Sequence, residues 1–72
     1  MLDSALMDAL FESYLDWKEA CTEAAERYAR WQQAGIGELA EAFCAYRAAL
    51  AAEEDAAGAY QEMSATAAAS LR

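Results

Sequence analysis

Histidine is absent from the sequence, which removes the common zinc and non-haem iron ligand sets and leaves any cysteine nucleophile without its usual base. Proline is absent too, and glycine occurs three times, so little in the chain interrupts regular backbone structure. Basic residues are scarce: five Lys and Arg stand against 13 Asp and Glu, giving a net charge of −8 and an isoelectric point near 4.1. Nucleic acid and anionic membrane both need a basic face, so neither is expected as a partner. No uncharged run approaches the ~20 apolar residues of a membrane span. Asp3 and Asp8 stand where a secretory leader would carry a basic region and then an apolar one, so a cytoplasmic protein with reduced thiols is expected.

What remains is 58% apolar and 11% aromatic, with alanine the commonest residue. That is the composition of an ordered, all-α protein, and 72 residues make one domain, 1–72. Met7, Leu10, Tyr14, Trp17, Cys21, Ala24, Tyr28 and Trp31 follow one another in steps of three and four, the pattern of a helix lying along another helix. The opposite side carries Glu12, Asp16, Glu19, Glu23, Glu26 and Arg30. A first helix is therefore expected over 3–33, capped by Asp3 or Ser4, with Arg27 and Arg30 suiting its negative end.

Gly35 is placed to close this helix in the left-handed conformation, Ile36 to fold back on it, and Gly37 to cap a second helix over 38–68. The second seam runs Ile36, Leu39, Phe43, Tyr46, Leu50, Glu53, Ala57, Tyr60, Ser64, Ala67 and Leu71, beside a row of Ala42, Ala49, Ala56 and Met63. So short a link makes the helices antiparallel neighbours, with facing residues whose numbers add to about 71. Tyr28 then opposes Phe43, Cys21 opposes Leu50, Leu10 opposes Tyr60 or Gln61, and Trp17 lies by Glu53 or Glu54. Lys18 is placed to pair with Glu53, whereas Cys44, on the alanine-rich flank, does not face Cys21.

A two-helix hairpin leaves one side of such seams wet, and uncovered apolar surface of that extent marks an interaction face. The expected outcome is a homodimer, a four-helix bundle with two-fold symmetry, or association with another helical protein. The interface residues are Met7, Leu10, Phe11, Tyr14, Trp17, Cys21, Tyr28, Trp31, Phe43, Tyr46, Leu50 and Tyr60. Of the aromatics, Trp17, Tyr28 and Phe43 are expected in the core, and Trp31 and Tyr46 in a groove near the hairpin tip.

No catalytic residue, metal ligand or cofactor is assigned. Glu23/Glu26 and Glu38/Glu41 have the spacing of carboxylate ligands but lie off the seam. The alternatives to a non-enzymatic interaction protein are two. One is a small-ligand or metal site built on Glu53 with Tyr14 and Tyr46. The other is an acidic mimic that fills a partner's nucleic-acid site with Asp16, Glu19, Glu23 and Glu26. A short acidic hairpin with a tryptophan before its turn resembles, in architecture, the secreted WXG hairpin proteins. Their Trp-x-Gly turn and C-terminal tyrosine–acid motif are both missing: Trp31 lies four residues before Gly35, and Tyr60 is followed four places on by Ser64. The resemblance therefore implies a hairpin and carries no function.

Overall fold

The computed structural model describes residues 3–71 and is an antiparallel pair of helices, α1 (Ser4–Gln33) and α2 (Leu39–Ser70), with no strand among the described residues. It forms a rod of 55 × 14 × 13 Å. Asp3 caps α1: its backbone is extended and its carboxylate accepts the Ala5 N–H at 3.2 Å. Hydroxyls inside the helices bond back to carbonyls one turn earlier, Thr22 to Lys18 and Thr66 to Glu62, and so are satisfied without breaking the helix.

The turn differs from expectation. No glycine among the described residues has positive φ, and Ile36 is 98% exposed instead of folding back. Ala34 leaves α1 in extended backbone (φ −70°, ψ 138°), carrying the chain sideways toward a second axis about 8–10 Å away. The Glu38 N–H then donates to Gly35 O at 3.0 Å and launches α2. Glu38 takes the cap position expected for Gly37, with no side-chain cap bond.

The helices meet through alanine. Ala24, Ala49 and Ala67 are the buried hydrophobic residues among those described, and no large side chain is fully buried. On α1 the line toward α2 runs through Leu10, Ser13, Trp17, Ala20, Ala24, Arg27 and Trp31, each wholly or half buried. Met7, Tyr14 and Tyr28 of the expected seam lie on a flanking row and stand exposed. On α2, Ala42, Ala49, Ala56 and Met63, expected beside the seam, lie along the contact, while Leu39, Phe43 and Leu71 stand exposed. Small residues win the contact because they let two backbones approach closely and freeze no rotamers.

The register is also shifted. Tyr28 meets Tyr46 rather than Phe43, and Tyr60 meets Tyr14 and Trp17. Helical side chains lean toward their own N-terminus, so in an antiparallel pair the tips on α1 point away from the turn and those on α2 toward it. Tip-to-tip partners are thus displaced by about two positions from backbone neighbours, more for long rings.

Gly58 lies inside α2, and a methyl group there would meet nothing within 4 Å. Gly58→Ala is expected to stabilise the hairpin by about 0.5–1 kcal/mol, read as a higher urea midpoint at unchanged slope. An unchanged or lower midpoint would show that the position is not a free helical site.

Candidate protein-binding face

Tyr14 and Trp17 lie one turn apart on α1, and Tyr60 of α2 closes a triad with them. Trp17 stacks on Tyr60 at 5.5 Å and 11°, Tyr14 tilts against Tyr60 at 5.7 Å and 58°, and Tyr14 meets Trp17 edge-on at 6.2 Å. The same triad recurs nearer the turn. Trp31 stacks on Tyr46 at 5.6 Å and 14°, Tyr28 tilts against Tyr46 at 5.2 Å and 56°, and Tyr28 meets Trp31 edge-on at 5.9 Å. Phe43 extends this second cluster, 5.0 Å from Trp31.

The two triads are related by a shift of two heptads, about 21 Å along the axis. The sequence carries the signal, a Tyr-x-x-Trp repeat at Tyr14–Trp17 and Tyr28–Trp31 answered by Tyr46 and Tyr60 at the same spacing. Reading each helix separately conceals it, since each triad draws on both. Contrary to expectation, Tyr28 and Phe43 stand at the exposed edge (41% and 38%), whereas Trp31 and Tyr46 stack half buried between the helices.

Met7, Tyr14, Cys21 and Tyr28 are spaced by heptads and form one row along α1, beside which α2 presents Phe43, Tyr46, Leu50 and Tyr60. Phe11, 61% exposed, lies one row further out. Leu10 is half buried toward α2, and Leu15 points away from it on the helical wheel. The far side of the hairpin is polar: Arg27, Arg30, Gln33, Glu38 and Glu41 line a shallow depression there. Asp16, Glu19, Glu23 and Glu26 are all exposed, and Glu23 holds Arg27 at 2.7 Å. The hairpin is thus two-faced, aromatic on one side and charged on the other.

Midway between the triads lies a shallow groove lined by Cys21, Ala24, Ala25, Tyr28, Tyr46, Leu50 and Glu53. The expected Lys18–Glu53 ion pair is not formed; the ion pair among the described residues is Arg27–Glu23. Glu53 instead approaches Cys21, because the register shift carries it one turn past Lys18. Burial raises the Cys21 thiol pKa, the Glu53 charge and hydrogen bonding raise it further, and Lys18 acts against them. Cys44 is exposed on the outer side of α2. Alkylation is therefore expected to label Cys44 first, and Glu53→Gln to speed labelling of Cys21. Equal rates in both proteins would remove the assigned role of Glu53.

No three Cys, Asp or Glu side chains converge in a metal-binding group among the described residues. No helix is long and apolar enough to cross a membrane among them either. The chain matches no protein-family model, no characterised protein and no solved structure, so the face is read from its own residues.

Proposed function

We propose that this chain is a non-enzymatic interaction protein whose aromatic face binds other protein helices and is completed by them into a four-helix bundle. The observation that carries the reading is that no large side chain among the described residues is fully buried, although 58% of the sequence is apolar. A compact monomer of 7.8 kDa exposes about 4,400 Å², whereas this one exposes 5392 Å². The excess is that of a 55 × 14 × 13 Å rod, which association along its length would reduce. Aromatic residues rich in contact area and polar at one end are the typical anchors of such interfaces.

The test is a photo-crosslinking amino acid placed singly at Phe11 or Phe43 on the aromatic face, or at Asp16 on the acidic side, in cells producing the protein. Protein adducts are expected from the first two sites and not from Asp16. No adduct of any mass from Phe11 or Phe43 would overturn the reading. Adducts from Asp16 that vanish with added salt in extracts would favour the acidic-mimic alternative instead.

A further inference from the structure

We infer that the link between the helices is a hinge, and that two copies of this chain exchange helices through it. In the exchanged pair each chain runs as one helix over residues 4–70, and α1 of each copy packs on α2 of the other. This exchange is independent of what the aromatic face binds.

The backbone of the link is close to helical on both sides of the bend. Ala34 has a helical φ of −70°, and its ψ of 138° takes the chain out of α1. Glu38 lies in the right-handed helical region, and the Ala42 N–H already donates to Glu38 O at helical spacing. No glycine among the described residues takes a positive φ, so the turn uses no conformation closed to other residues. Nor does a side chain hold the bend: Ile36 is almost wholly exposed and Glu38 makes no side-chain cap bond. Joining α1 to α2 turns Ala34 ψ through about 180° and gives up no cap.

The two helices are also in phase across the link. Arg27, Trp31 and Ala34 are half buried at the end of α1, and Ala42, Ala45 and Ala49 are half or wholly buried at the start of α2. In a continuous helix, at about 100° per residue, these six fall within an arc of about 80°. A link one residue longer or shorter would rotate one set by about 100° against the other. The opened chain thus keeps a single inward face from end to end, and a second opened copy, running antiparallel, covers all of it.

Three residues restrain the exchange. Gly35 and Gly37 disfavour a helix through the link. Glu38 is the third. The ring pairs Trp17–Tyr60 and Trp31–Tyr46 have numbers adding to 77, and Tyr14–Tyr60 and Tyr28–Tyr46 have numbers adding to 74. Remade between two copies, these pairs put the two-fold axis at about residue 38. Glu38 also falls in the middle of the inward arc, so exchange brings its carboxylate against that of the partner copy.

A methyl group at Gly35 or Gly37 would meet nothing within 4 Å in the hairpin. Gly35→Ala/Gly37→Ala therefore spares the hairpin and favours the joined helix about fivefold per site, with each site counted twice in a dimer. After slow cooling from the unfolded state, light scattering is expected to show dimer from this variant at a concentration at least about tenfold below that needed by the wild type. Glu38→Gln is expected to act in the same direction. Gly35→Pro is expected to abolish the dimer, because proline suits the extended Ala34 before it and cannot continue a helix. Spin labels at Asp16→Cys/Asp55→Cys in a Cys21→Ser/Cys44→Ser background, diluted with unlabelled chain, measure the opening. The labels sit at one level of the hairpin but about 60 Å apart along one opened chain. Failure of either the wild type or the double alanine variant to give dimer at millimolar concentration would overturn the inference. So would a dimer that keeps the short distance, or one that persists with Gly35→Pro. The adducts at Phe11 and Phe43 remain the separate measure of the protein-binding reading.

Discussion

Ala49→Leu is expected to cost the hairpin about 1–3 kcal/mol, a large part of the ~3–5 kcal/mol that a core of this size supplies. Ala49 and Ala24 are buried between the helices, and each is a small residue in a contact rich in small residues. Three added carbons have no space to enter, so either the axes separate or the leucine leaves its rotamer. Separation would also pull apart the triads on either side. Ala48→Leu, one position along on the exposed side of α2, is the control and should move stability by no more than about 0.5 kcal/mol. Urea denaturation followed by helical circular dichroism reads both. Equal midpoints for the two variants would mean that the alanine contact is not close-packed.

Trp31→Ala should be the most damaging truncation among the aromatics. Trp31 touches Tyr28, Phe43 and Tyr46, whereas Trp17 touches Tyr14 and Tyr60. Each aromatic pair contributes ~0.5–1.5 kcal/mol beyond its buried area, so losing three pairs should cost more than losing two. The expected loss is about 3 kcal/mol for Trp31→Ala, toward the lower end of the range for fully buried tryptophans because this ring is only half buried. Trp17→Ala should be milder, and Trp31→Phe milder again. Thermal unfolding of the three variants gives the ranking. A Trp17→Ala midpoint at or below that of Trp31→Ala would show that the two triads do not contribute by ring count.

Helix existence and approximate bounds were legible because they depend on local signals, although the Gly35 stop and the Gly37 cap were not what the turn uses. Asp3 as cap, the stop at Gln33 and the short link follow from residues adjacent in sequence. Which face of each helix turns inward was not legible in the same way. A period of three and four picks out large apolar residues, whereas the contact on α1 also takes in a row of small and polar ones. Met7, Tyr14, Cys21 and Tyr28 form one row; Ser13, Ala20 and Arg27 form another on the inner side of Leu10, Trp17, Ala24 and Trp31. Ranking by side-chain size selects the first row, whereas backbone approach selects the second. The Lys18–Glu53 pair failed for a related reason, since pairing by backbone level ignores the lean of side chains. The aromatic face was visible as an excess of large residues, but its arrangement as two like triads needs both helices at once.

The triads also differ in the length of chain each must close. Trp31 and Tyr46 are 15 residues apart, Trp17 and Tyr60 43 apart. The entropy of closing the longer loop exceeds that of the shorter by about 0.9 kcal/mol, a cost that vanishes once the turn-side cluster has formed. Assembly therefore zips from the turn toward the free ends, and opening runs the other way. Amide exchange should record this as protection falling from Tyr46 toward Ser70. Of the two otherwise like clusters, the one beside the turn is the less costly to form without its twin.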